Sequence, residues 1–220
     1  MKKKIAILFP NEHIAYSPTT LGIYDALVLQ NDVMLFAATS SKFRVDNFDN
    51  RNINYFPYTT NRIRKLKAVP FFLINKIGSF FSKKFALGKL NIYNYVRYLE
   101  YKKALKNINI SDFDEVIAID VLILYAARFV CKRVSFLSLE LYEEERGLIP
   151  LLKSNFIKCI ITQTEQRYNF LFKNNDYKVF LIQNAPNYKA IDALSKNENS
   201  LLFNGTALER FGLYHCLNFV

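Results

Sequence analysis

The sequence has no long hydrophobic run. No stretch of its 220 residues approaches the roughly 18 apolar positions that a membrane-spanning helix needs. The start, Met1-Lys2-Lys3-Lys4, has the charge of a secretory leader. The apolar run behind it, Ile5 to Phe9, closes at Pro10 and is too short for a leader's core. A soluble or peripheral protein is expected. Cysteine is scarce: Cys131, Cys159 and Cys216 each lie in an apolar stretch, without CxxC spacing or a nearby His cluster. That argues against a disulfide framework and a zinc site, and for structural thiols in a reduced, cytoplasmic setting. Phosphate-cradling glycine loops are missing too, since no GxGxxG follows the first apolar run and there is no P-loop.

Acid is missing from the middle of the chain. Between Arg51 and Lys106 there are thirteen Lys or Arg against one acid, Glu100. This segment carries the whole excess of the net charge of +11, and the rest is near neutral. A localised positive field attracts anionic partners such as a membrane surface or nucleic acid. Nothing resembling an RNA- or DNA-binding motif accompanies it, so no nucleic-acid partner is expected. Within residues 62–89, Lys65, Lys67, Lys76, Lys83 and Lys84 interleave with Phe71, Phe72, Leu73, Ile77, Phe80, Phe81 and Phe85. Cations beside bulky apolar residues suit an interfacial helix on an anionic bilayer. The competing reading is a helix packed on a sheet, with its aromatics in the core and its lysines in water.

What remains suits a folded domain. Apolar residues make up 51% and charged residues 22%, so a core can form, and the length fits one sizeable domain or one domain plus part of another. Continuous apolar runs read as buried parallel strands at Lys3–Phe9, Val33–Ala38, Ile53–Tyr58, Asp114–Asp120, Val134–Leu139, Phe156–Thr162 and Lys178–Ile182. Between them lie helical segments: one capped by Thr19 or Thr20 and running to Gln30, then Leu90–Asn107, Val121–Cys131, Glu143–Lys153 and Glu165–Phe172. Pro70, Gly78 and Gly88 predict broken helices over Arg62–Lys89. The alternation predicts an α/β parallel sheet with helices on both faces. Right-handed crossovers then gather the strand-to-helix loops along one edge, where ligands of such sheets bind. The titratable residues that fall there include His13 in the first loop and Asp120 at the end of the fourth strand. After a polar linker over 188–200, Leu201-Leu-Phe-Asn-Gly205 restarts a strand-and-glycine pattern that reaches Val220.

Several pieces in this order resemble bacterial glycosyltransferases of the two-domain GT-B type, family 4-like. Asp114–Asp120 is similar to the strand at which such enzymes open their acceptor cleft. Ser138-Leu-Glu-Leu-Tyr-Glu143 is similar to the acid-bearing stretch after their fifth strand. Ile161–Arg167 resembles their strand-to-helix entry, and Leu181-Ile-Gln-Asn-Ala-Pro186 the turn that leaves the N-terminal domain. Leu202-Phe-Asn-Gly-Thr206 with Arg210 and Gly212 resembles the first strand and turn of the nucleotide-sugar domain. The resemblance implies a Rossmann-like acceptor domain over 1–187, the linker over 188–200, and the start of a donor-binding domain over 201–220. It implies transfer of a sugar from a nucleotide sugar, a co-substrate rather than a cofactor, to a saccharide or polyprenyl-linked acceptor. A metal is usually not required in the family, and no metal-ligand spacing is present.

On that resemblance His13 can act as base or steer the acceptor, and otherwise it is a surface loop histidine. Asp120 can orient an acceptor hydroxyl or cap the following helix. Glu140 is expected at the acceptor or an interdomain contact, with Glu143–Glu145 solvated beside it. Gly205 and Arg210 can meet a diphosphate, by close backbone approach and by charge. The chain departs from the family pattern in places: Gln183 stands where Pro is frequent, the first loop lacks Gly-Gly, and Phe211 separates Arg210 from Gly212. The family's acidic donor-site motif has no counterpart before Val220, so a fragment that does not act alone is expected. The alternatives are a non-catalytic or partner-dependent binding module and an unrelated Rossmann or flavodoxin-like protein.

Overall fold

The structure, a computed structural model, describes residues 2–11, 13–39, 53–57, 62–81, 86–139, 147–149, 152, 155–172 and 177–182. The chain divides into Met1–Pro186 and Asn187–Val220, and everything described belongs to the first unit. The linker and donor-domain expectations, and most of the helix expected at Glu143–Lys153, lie outside the described residues.

Seven strands form one parallel sheet: β1 (Lys4–Phe9), β2 (Asp32–Thr39), β3 (Ile53–Pro57), β4 (Glu115–Ile119), β5 (Val134–Ser138), β6 (Ile157–Thr162) and β7 (Val179–Leu181). Their spatial order is β3-β2-β1-β4-β5-β6-β7, and every pairing is parallel. This is a Rossmann-like α/β sheet. The runs that predicted strands are apolar without alternation because both faces are covered. Ile5 to Phe9 of β1 and all of β5 are buried. On one face Ile5, Ile7, Phe9, Leu35 and Ile119 pack with Tyr24 of α1 (Pro18–Val28). On the other, Ala6, Leu8, Phe36, Ala118 and Phe136 meet the remaining helices. These are α2 (Arg62–Phe81), α3 (Ile92–Asn107), α4 (Val121–Ala127) and α5 (Glu165–Phe172).

Local chemistry explains most helix boundaries. Asn91, in extended conformation, accepts a hydrogen bond from the Asn94 amide at 2.8 Å and starts α3. Tyr95, Tyr98, Tyr101 and Leu105 then recur along one side of it and are buried. Thr164 Oγ1 accepts from the Arg167 amide at 3.2 Å and caps α5. The cap of α1 differs from expectation. Ser17 occupies the position without a side-chain capping bond, because its hydroxyl pairs with Thr20 Oγ1 at 2.7 Å. Thr19 and Thr20 therefore lie inside the helix, buried, with Pro18 in its first turn.

Residues 62–81 also differ from the expectation of broken helices, since α2 runs unbroken through Pro70 and Gly78. Pro70 lacks an N–H and cannot bond the Leu66 carbonyl, but both residues lie on the outward side, where water can serve that carbonyl. The inward side is held independently. Asn75 Nδ2 donates to Tyr95 Oη at 2.7 Å, the Phe72 ring lies 6.0 Å from that of Tyr95, and Arg64 forms an ion pair with Glu100. Gly88 belongs to a short 3-10 turn, Ala86–Lys89, that packs on α2. A Cβ there would collide with the Asn75 carbonyl and Ser79, so glycine serves close approach.

Candidate functional site

In a sheet of this order the connections from β1 and β4 leave toward opposite faces, which opens a crevice between their C-terminal ends. His13 and Asp120 both belong to this edge, in the loops that follow these adjacent strands. His13 starts a 3-10 turn, His13–Tyr16, its amide donating to Asn11 Oδ1 at 2.8 Å and its side chain exposed.

Asp120 is the one non-glycine residue with positive φ among the described residues, at φ 63° and ψ 153°. L-residues avoid this region because Cβ crowds the backbone, at a cost of about 1–3 kcal/mol. Its main chain is pinned on both sides: the amide donates to the Leu137 carbonyl at 3.2 Å, and its carbonyl accepts from the Leu124 amide at 3.1 Å. The carboxylate makes no capping bond to α4, contrary to the capping alternative. The strained backbone turns the side chain away from the geometry that capping requires, and the side chain stays half-buried at the strand end.

Across from it, α3 brings a cation to the end of β1. Arg97 Nη2 donates to the Pro10 carbonyl at 3.1 Å and lies 2.6 Å from Tyr101 Oη, and the Tyr101 hydroxyl donates to the same carbonyl. The guanidinium also sits over the rings of Tyr93 and Tyr101, at 5.7 and 5.6 Å. Sequence reasoning counted Arg97 only as part of the basic segment. The available signal was the Tyr93, Arg97, Tyr101 row at i, i+4 spacing, which lines one helix face.

Farther along the edge, Gln163 Nε2 donates to Thr19 Oγ1 at 3.3 Å, joining the end of β6 to the start of α1. Arg167 donates to the Leu139 carbonyl and fixes the exit of β5. Ser138 and Thr162, register partners at the ends of β5 and β6, are each 1% exposed, and among the described residues their hydroxyls make no hydrogen bond. Polar groups so placed are rare in cores. In the sequence each closes an apolar strand, and each also heads or enters one of the stretches that carry the family resemblance.

Glu140, Gly205 and Arg210 lie outside the described residues, as do Glu143–Glu145, Asn184 and Pro186. Two cavities of about 460 and 480 Å³ open at the other end of the sheet, one beside Lys4, Asp32 and Phe113, the other beside Arg128, Cys131 and Phe156. Neither is lined by His13, Asp120 or Arg97, and the strand-end edge is the better candidate because strained and charged groups converge there. Burial pushes the Cys131 thiol up to about 12, which makes it a structural rather than a reactive group. Among the described residues no three His, Cys, Asp or Glu side chains are grouped to hold a metal ion, and no helix is long and apolar enough to cross a membrane. No protein-family model matches the chain, and no curated protein matches it.

Proposed function

We propose that this domain is the acceptor-binding half of a GT-B-type glycosyltransferase, with parent activity the transfer of a sugar from a nucleotide sugar to a saccharide or polyprenyl-linked acceptor. The observation that carries the reading is Asp120, held strained at the switch point beside a first loop that has no glycine. A dinucleotide's diphosphate needs close backbone approach at that loop, and Pro10 with its clamped carbonyl offers no such cradle. A carboxylate at the strand end instead suits a hydroxyl-rich ligand, whose O–H groups donate to it.

In the transfer, the acceptor oxygen bonds to the anomeric carbon as the bond from that carbon to the nucleoside diphosphate breaks. The acceptor proton passes to a base, for which Asp120 and His13 are the candidates on this domain. Positioning of the hydroxyl supplies much of the barrier reduction. Gly205 and Arg210 remain the candidates for the donor diphosphate. A polyprenyl-linked acceptor is presented at a bilayer, so the same reading implies work at the cytoplasmic face of a membrane.

The test is an NMR titration of the chain with a saccharide panel and, separately, with NAD and with nucleotide sugars. Saccharide-induced shifts centred on Asp120, His13 and Arg97, abolished by Asp120→Asn, are expected. Shifts at those residues with NAD alone would overturn the reading in favour of a dinucleotide-binding protein. Saccharide binding without transfer from any nucleotide sugar would leave a binding module instead.

A further inference from the structure

One helix exposes far more apolar surface than a folded domain normally tolerates. On α2, Ile63, Leu66, Phe71, Leu73, Ile74, Ile77, Phe80 and Phe81 are between 51% and 85% exposed. At 100° per residue, all of these except Phe71 fall with Pro70 on a single outward arc of about 120°. The opposite arc, with Ala68, Phe72 and Asn75, is the one held on α3. At 1.5 Å per residue the stripe is about 30 Å long. Contiguous exposed surface of this kind marks an interaction site.

Charge identifies what covers it. The helix carries Arg62, Arg64, Lys65, Lys67 and Lys76 and no acid. Lys67 borders the stripe on one side and Lys65 and Lys76 on the other, the latter two leaning over the rings of Tyr93 and Phe72 at 5.0 and 5.1 Å. The apolar positions 63, 66, 70, 73, 77 and 80 follow the spacing of a coiled-coil seam. The flanking positions of that seam hold Arg62, Lys67 and Lys76, however, so a second copy would bring like charges together. We infer that α2 lies in the interface of an anionic lipid bilayer, its outward residues among the acyl chains and its flanking cations at the headgroups. The anchoring contacts to α3 orient the domain by fixing which side of α2 faces out. Bilayer docking by α2 stands independently of what the strand-end crevice binds.

The chain contains no Trp, so a single introduced indole reports from one place. Phe80→Trp on the stripe, and Leu29→Trp, 78% exposed beyond α1, as control, are compared with vesicles of phosphatidylcholine alone and with phosphatidylglycerol added. The expected result is a blue shift of Phe80→Trp emission on the anionic vesicles only, reversed by high salt, with Leu29→Trp unmoved. Adding Ile77→Glu should lower vesicle partitioning at least tenfold while circular dichroism stays unchanged. Equal partitioning to both vesicle types, or to neither, overturns the inference. So does a shift without lipid: with dimers in sedimentation velocity it assigns the face to a second copy, and with monomers to another part of the chain itself.

Discussion

Arg97 of α3 and Pro10 at the end of β1 are 87 residues apart in the chain and joined by a hydrogen bond of 3.1 Å. The bond ties the outer helical layer to the point where the chain leaves the sheet. Because Tyr101 donates to the same carbonyl, that carbonyl is served twice in a buried setting.

Removing this clamp should destabilise the domain and loosen the first loop together. Tyr101→Phe deletes one donor without opening a cavity, and a loss of about 1–2 kcal/mol in urea unfolding is expected. Arg97→Ala also removes a cation packed on two rings and should cost somewhat more. If Arg97→Ala leaves both the urea midpoint and amide exchange of residues 11–17 at wild-type values, the clamp contributes nothing.

Asp120 offers a sharper separation of stability from binding. Glycine tolerates φ 63°, ψ 153° without a Cβ clash, whereas alanine keeps the clash. Asp120→Gly should therefore be more stable than Asp120→Ala by about 1–2 kcal/mol. Both should lose the saccharide-induced NMR shifts. Equal stability of the two variants would show that the backbone there is not strained in solution.

Alkaline pH should unfold the protein in a defined window. Burial raises the Cys131 thiol to about 12 and, with Tyr125 nearby, raises the Tyr98 hydroxyl to about 12; burial also raises Tyr95, Tyr125 and Tyr177. The folded state holds these protons where the unfolded state releases them, from about pH 9 for the thiol and 10 for the phenols. Their contribution is complete below pH 9 and falls as pH rises toward 12. Tyr98→Phe should flatten the decline in thermal midpoint between pH 10 and 12, and native Cys131 should resist iodoacetamide at neutral pH. An alkaline profile identical to wild type would refute the assignment to Tyr98.

Strands and their type were legible because burial on both faces demands uninterrupted apolar residues, and runs such as Ile5–Phe9 and Val134–Ser138 meet that demand locally. Asp120 was legible as a strand-end acid for the same reason: a carboxylate closing an apolar run has to lie where the sheet meets water. The α1 cap was not, since a choice among Ser17, Thr19 and Thr20 depends on which hydroxyl the neighbouring turn engages. Nor was the continuity of α2, where tertiary contacts from Tyr95 and Glu100 outweigh the helix-breaking tendency of Pro70.

By itself, then, the amino-acid order determined the seven-strand α/β layering, the edge on which His13 and Asp120 fall, and the concentration of positive charge over 51–106. Those follow from residue type and local spacing. Only the tertiary structure decided that Arg97 serves Pro10, that Asp120 sits at positive φ, and that the apolar side of α2 faces outward. Each of these depends on residues distant in sequence meeting in space, and packing on α3 chose which side of α2 faces out.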